Sequence, residues 1–186
     1  KKIIIKLKKK KFEFVLLFIL GALTSLSLPP YNLLFINFIT FGVLFFYIYK
    51  KKKLDNKNGS FFYGWFFGFG YFFSSLYWIT ISLTFDANYK ILIPITLILI
   101  PLFLSIFYGL ATYFFFIINI KKPISNLFLL SLLIGLFDYL RGVTLTGFPW
   151  NLIAHSFSNY LEIIQINSII GIYSFNVLCI SIFLSP

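Results

Sequence analysis

The sequence predicts an all-α protein, a polytopic transmembrane bundle of six helices. Three observations carry that prediction. Hydrophobic residues make up 60% of the 186-residue chain and charged residues only 11%, with a mean hydropathy of +0.93; a soluble domain carries roughly 25% charged residues. The apolar residues fall into six runs, each near the ~20 residues needed to cross ~30 Å of hydrocarbon. The cations gather at the ends of those runs.

The first run covers residues 12–28 and is short, with Pro29-Pro30 ending it. The second covers 33–49 and the third 61–85. The fourth, 91–120, is long and carries Pro94 and Pro101, so tilt or a kink is expected near its start. The fifth covers 124–140 and the sixth 161–184. A Lys-rich start followed by Ser25-Leu26-Ser27 also fits a cleavable signal peptide. Pro29 directly behind that point, and an apolar run resuming almost at once, favour an uncleaved first helix.

Net charge is +11, from 16 Lys and Arg against 5 Asp and Glu. In a soluble chain this would point to nucleic acid. Here the charge is topogenic, and no nucleic-acid partner is expected. Lys1, Lys2, Lys6, Lys8, Lys9, Lys10 and Lys11, then Lys50, Lys51, Lys52, Lys53 and Lys57, then Lys121 and Lys122 fall on one side, and only Lys90 and Arg141 on the other. The positive-inside rule then places residues 1–11 in the cytoplasm as a Lys-rich N-terminus, with 12–186 as the membrane domain. There is no Met, and the chain stops at Pro186 just after an apolar run, as expected of an excerpt of a longer protein.

The most informative stretch is Arg141-Gly142-Val143-Thr144-Leu145-Thr146-Gly147-Phe148-Pro149-Trp150-Asn151, between the fifth and sixth runs. A backbone broken by Gly and Pro cannot cross hydrocarbon exposed to lipid, because its unpaired N–H and C=O groups would each cost several kcal/mol. The segment therefore lies at the outer membrane face or dips inward under cover of protein. Gly142 and Gly147 permit tight turns. Pro149 restrains the approach to Trp150. Asp138 and Arg141, three apart on one helix, either neutralise each other or leave the guanidinium to hold a lipid phosphate.

In the third run Gly64, Gly68 and Ser75 share a helical face, which lets another helix approach closely. Tyr77 and Trp78 follow, as interfacial anchors or as lipid contacts. His155 and Cys179 do not make a catalytic pair: Cys179 lies among Val177, Leu178, Ile180 and Ile182, well inside a run, with no cation near in sequence to lower its pKa. No metal-ligand cluster, phosphate-binding loop or paired carboxylate is present in the sequence, and no cofactor is expected.

These features resemble the N-terminal membrane domain of the bacterial apolipoprotein N-acyltransferase family. Four stretches carry the likeness in order: Leu26-Ser27-Leu28-Pro29-Pro30-Tyr31-Asn32; Gly64-Trp65-Phe66-Phe67-Gly68-Phe69-Gly70 running on to Leu76-Tyr77-Trp78-Ile79; Leu140-Arg141-Gly142 with Leu145-Thr146-Gly147-Phe148-Pro149-Trp150-Asn151; and Gln165-Ile166 with Gly171-Ile172-Tyr173-Ser174-Phe175. Val143 stands where an aromatic is common, and Asp138 where Glu is often found.

The resemblance implies a bacterial inner-membrane enzyme whose catalytic side is periplasmic. It would move an acyl chain from a phospholipid to the N-terminal diacylglyceryl-cysteine of apolipoproteins, through a thioester. The family's Glu, Lys and Cys catalysts belong to a nitrilase-like domain that follows the membrane helices, so none is expected in these residues, and this chain alone is expected to be inert. Arg141, Pro149, Trp150, Trp78 and Tyr77 are the candidate lipid contacts, with Gly64, Gly68, Gly142, Gly147 and Asp138 in structural roles. A small transporter is the rival reading, but it would carry polar groups near the midplane of broken helices. A membrane scaffold without chemistry is the other rival.

Overall fold

A computed structural model describes residues 2–54, 59–144 and 147–185, with side chains described from residue 11 onward. Lys57 of the Lys-rich loop, and Leu145 and Thr146 of the outer segment, lie outside the described residues. The architecture is all-helical, with no strand among the described residues. The principal helices are α1 (Lys2–Thr24), α2 (Ile36–Lys53), α3 (Ser60–Ser75), α4 (Ile93–Ile117) and α5 (Pro123–Val143). Two short helices, α6 (Leu161–Ile164) and α7 (Asn167–Ile170), precede α8 (Ile172–Phe183).

Among the described residues two segments are long and apolar enough to cross a membrane, Ala87–Ile117 and Pro123–Val143. A third qualifies if Ser60–Ser75 and Tyr77–Thr84, bent by 44°, form one span. The bend sits where α3 stops. Ser74 and Ser75 turn their hydroxyls back onto the carbonyls of Gly70 and Tyr71, and the chain continues as a 3-10 segment, Tyr77–Thr84. The expected single helix over 61–85 is therefore broken. Serine hydroxyls returning to their own helix compete with the backbone ladder, an effect that apolar content does not register.

The expected sixth span, 161–184, is also corrected. It is not one helix: α6 and α7 are each one turn long, and Gly171 at φ 78° separates them from α8. A left-handed glycine cannot continue a right-handed helix. Pro94 sits at the start of α4, where its missing N–H does no harm, and α4 continues through Pro101.

α3 is central, packed on α1 along one side and α4 along the other. Glycines on both seams bring backbones together. A Cβ on Gly21 would run into the Phe67 carbonyl, and one on Gly70 into the Phe18 carbonyl. On the other seam a Cβ on Gly64 would strike the Tyr108 carbonyl, and Gly68 lies against the Tyr108 side chain. Thr112 of α4 uses the space beside Gly64: its hydroxyl accepts from the Gly64 N–H at 3.1 Å and donates to the Ser60 carbonyl at 2.9 Å. The core between the helices is aromatic, with Phe41, Tyr63, Phe67, Tyr71, Phe72, Phe115 and Phe183 buried. At the Lys-rich end Lys51 pairs with Glu13 of α1, and Lys52 donates to Asn126 of α5, both at 2.7 Å.

Candidate functional site

The site forms at the opposite end, where α5 runs out. Arg141 occupies the last turn of α5, one turn after Asp138, so both side chains project from the same face. Both are fully buried, and a guanidinium nitrogen lies 2.9 Å from the Asp138 carboxylate. Another guanidinium nitrogen donates to the carbonyls of Phe148 at 3.0 Å and Trp150 at 2.7 Å. The Phe148 N–H returns to the Arg141 carbonyl at 2.9 Å. Main chain and side chain of one residue thus hold the returning loop. The guanidinium also lies over the rings of Phe72 and Phe148, 5.1 and 5.7 Å from their centroids, an arrangement that favours a desolvated cation.

The network extends into three helices. Asn176 of α8 donates to the other Asp138 oxygen at 2.9 Å and accepts from the Ala154 N–H at 3.0 Å. The Tyr71 hydroxyl of α3 donates to the Asn151 carbonyl at 3.1 Å. The turn itself needs permissive residues. Gly147 has φ 66°, and its N–H bonds to the Thr144 carbonyl. Gly142 lies where any Cβ would meet the Tyr173 hydroxyl. A non-helical segment is tolerated at membrane depth only when its backbone groups find such partners.

What this framework displays is Trp150. It is half exposed and packs edge-on against Trp78, with ring centroids 6.2 Å apart at 82°. Phe148 also packs edge-on against Trp150, with ring centroids 5.2 Å apart. Trp78 is placed by the 3-10 segment that follows α3, so the break in the third run brings it to Trp150. Two cavities flank the pair. One, of about 540 Å³, is almost wholly apolar, walled by Leu99, Phe103 and Phe107 of α4 together with Trp78, Phe148 and Trp150. The other, of about 500 Å³, takes Tyr77, Trp78 and Trp150 with Ser74, Ser75 and His155. Each volume falls in the ~300–1,000 Å³ range of small-molecule sites.

The structure thus brings Arg141, Trp150 and Trp78 together. Pro149 adjoins them in sequence, and Tyr77 lies on the second cavity. Asp138 is held by Arg141 and Asn176, and Arg141 turns its terminal nitrogens to Asp138 and to the loop carbonyls. Gly64 and Gly68 lie away from this cluster, on the α3–α4 seam. His155 is in the loop, with its pKa pushed below the usual imidazole value by burial and, secondarily, by the Arg141 charge. Cys179 is fully buried within α8. Among the described residues no group of three His, Cys, Asp or Glu side chains gathers to hold a metal. Sequence reasoning passed over Tyr71, Phe72 and Asn176. The usable signal was Asn176, a polar amide in the middle of an apolar run, since such residues in membrane helices bond across to a neighbour.

The described residues define an all-helical domain with membrane-length apolar segments, in which a buried ion pair holds a non-helical loop beside two cavities of small-molecule size. Sequence comparison makes the class specific: residues 20–183 match the family described as the apolipoprotein N-acyltransferase N-terminal domain, and the chain belongs to that family. It is 34% identical over 177 residues to a protein named apolipoprotein N-acyltransferase from Rhodopseudomonas palustris, covering 92% of this chain and 32% of that protein. Proteins of the same name from Rhizobium rhizogenes and Brucella suis are 31% and 30% identical, covering 94% and 91% of this chain and 34% and 33% of their own lengths. The chain therefore spans about a third of the length of these relatives.

Proposed function

We propose that this chain is the membrane domain of an enzyme that moves an acyl chain from a phospholipid to the N-terminal diacylglyceryl-cysteine of apolipoproteins. The relatives' names and the family match support an acyltransferase parent. In this reading the domain lies in the bacterial inner membrane with its N-terminus in the cytoplasm and the Trp150 end facing the periplasm, as the Lys distribution favours. The catalytic Glu, Lys and Cys belong to a nitrilase-like domain outside these residues. No Cys–base pair is assembled here, since Cys179 is buried in α8.

The observation that carries the reading is the apolar cavity whose rim is Trp78 and Trp150, beside a loop fixed by Arg141. Acyl chains of the donor enter this cavity from the bilayer, and the tryptophans hold its outer edge at the level where a head group begins. Arg141 acts as a positioning residue: its hydrogen bonds to the Phe148 and Trp150 carbonyls set the rim. This reading is preferred to a direct hold on lipid phosphate, because both terminal guanidinium nitrogens are engaged by the Phe148 and Trp150 carbonyls and by Asp138.

The test uses the protein that carries both this domain and the catalytic domain. Trp150→Ala should lower thioester formation and lipoprotein acylation by about tenfold or more while abundance and membrane insertion stay normal, in line with the loss of substrate positioning. Trp65→Phe is the control, since Trp65 lies on the α3–α4 seam and bonds the Leu102 carbonyl. Full activity of Trp150→Ala at normal abundance would reduce Trp150 to an interfacial anchor.

A further inference from the structure

A further groove lies at the Lys-rich end of the bundle, between α1 and α3. It encloses about 410 Å³ and is lined by Lys11, Phe14, Val15, Phe18, Phe66 and Phe69. That volume is again in the ~300–1,000 Å³ range of small-molecule sites. The sequence builds it simply. Lys11, Phe14, Val15 and Phe18 are spaced to share one face of α1, and Phe66 and Phe69 to share one face of α3. Nearer the loop end, Gly21 and Gly70 bring the two helices backbone to backbone. Toward the Lys end aromatic rings take over the seam: Phe14 stacks on Phe66 at 4.7 Å, and Phe18 meets Phe69 at 5.3 Å. The groove runs beside these rings.

Its walls define what it can take. Five of the six lining side chains are aromatic or aliphatic, so the body of an occupant is apolar. Lys11 is the one polar side chain in the lining; it is exposed, and no carboxylate pairs with it among the described residues. A lysine so placed lays its stem along apolar surface and keeps its ammonium at the polar level. The surrounding charge has the same sign. Residues 1–11 hold seven Lys and no Asp or Glu, and Glu13 is engaged by Lys51. A hydrocarbon chain with a negative head complements both features. A second copy of this chain does not. Copies in one membrane share one orientation, so docking on this face would bring two Lys-rich ends together against their repulsion.

We propose that this groove holds one acyl chain of an anionic phospholipid from the leaflet at the Lys-rich end, with Lys11 at the phosphate. This lipid is a resident of the fold and not an acyl donor, because it sits at the end of the bundle opposite the Trp78–Trp150 rim. The proposal needs only that the bundle lies in a membrane. It is independent of the acyltransferase reading.

Trp65 reports on the groove from behind. Its ring stacks on Phe69 at 6.0 Å and meets Phe66 edge-on at 5.1 Å. The 186-residue chain has 3 Trp, so Trp78→Phe/Trp150→Phe leaves Trp65 as the sole emitter. In phosphatidylcholine nanodiscs this chain is titrated with phosphatidylglycerol carrying bromine on one acyl chain, and separately with phosphatidylcholine carrying the same chain. Bromine quenches indole only at short range, so loss of emission follows occupancy of the groove. Quenching should be half complete at about fivefold lower mole fraction of phosphatidylglycerol, the factor that one Lys near the membrane surface supplies for an anionic lipid. Lys11→Gln should erase that preference. Lys121→Gln, at an exposed position between α4 and α5, should keep it. Equal quenching by the two lipids, or none by either, overturns the proposal without reference to the folding of any lysine variant. So does a preference that survives Lys11→Gln. A preference lost as fully in Lys121→Gln also overturns it, since general surface charge would then be the cause.

Discussion

The α1–α3–α4 seam and the α5–α8 junction solve the same problem by opposite means. In lipid there is no hydrophobic drive to bring apolar helices together, so packing and hydrogen bonds must do it. The seam relies on what is missing: Gly21, Gly64 and Gly70 remove side chains so that backbone meets backbone, and Gly68 makes room for the Tyr108 side chain. The junction relies on what is present, an ion pair and an amide buried at the end of α5. The difference follows from what each region holds. The seam joins helices whose backbones are already satisfied. The junction holds a loop whose carbonyls would otherwise be stranded, and only strong donors can hold it.

The largest expected effect comes from removing the donor at the junction. Arg141→Leu leaves the buried Asp138 carboxylate without its cation and strands the Phe148 and Trp150 carbonyls. Breaking one partner of a buried pair costs about 3–5 kcal/mol. Unfolding in detergent, followed by Trp emission and by protease cutting of the loop, should show this loss together with new cleavage near Pro149. Arg141→Lys should rescue only part, since an ammonium lacks the planar fork that reaches two carbonyls and a carboxylate together. Full stability in Arg141→Leu would mean that the loop is held by something other than this network.

The seam should break by a smaller step. Gly70→Ala puts a methyl group onto the Phe18 carbonyl, and Gly64→Ala puts one onto the Tyr108 carbonyl. Neither contact can be relieved by rotating a side chain, because both meet backbone. Overpacking of this kind costs about 1–3 kcal/mol. The two substitutions lie on opposite seams of α3, so their effects should nearly add in a double variant. A melting temperature unchanged by either substitution would show that the helices already have room to part.

Much of this contrast was legible in the sequence, and the rest was hidden for identifiable reasons. The Gly64 and Gly68 face showed through its four-residue spacing. The loop showed because Gly147 and Pro149 cannot belong to a lipid-exposed helix, whereas Gly142, read as a turn residue, lies inside α5 and matters through its close approach to Tyr173. Asp138 and Arg141 showed as a helical pair, but the direction of the guanidinium did not. That depends on where Phe148 and Trp150 return, which no local spacing specifies. The breaks after Ser75 and at Gly171 were masked by apolar content, since Tyr77–Thr84 and α6–α7 are as hydrophobic as many spans. Gly70 and Gly21 were hidden because each matters only through a backbone carbonyl on a distant part of the chain.

The smallest effect should come from within the junction itself, deeper along the same two helices. The Ser181 hydroxyl of α8 lies 2.8 Å from the Ser131 hydroxyl of α5 and also 2.8 Å from its own helix's Val177 carbonyl. Ser131 in turn donates to the Phe128 carbonyl at 3.0 Å. With one proton per hydroxyl, Ser181 is the donor across the interface and Ser131 the acceptor. Ser181→Ala removes that bond but strands nothing, because Ser131 keeps its own carbonyl partner. Ser131→Ala likewise lets Ser181 turn wholly to Val177. Interhelical hydrogen bonds in membranes average about 0.6 kcal/mol in double-mutant cycles. A cycle on Ser131 and Ser181 should therefore give a coupling near that size, several-fold below the Arg141 loss. A coupling as large as the Arg141 effect would show that the whole α5–α8 interface is held by polar contacts. A small one confines the strong interactions to the loop end of α5, where the loop backbone needs them.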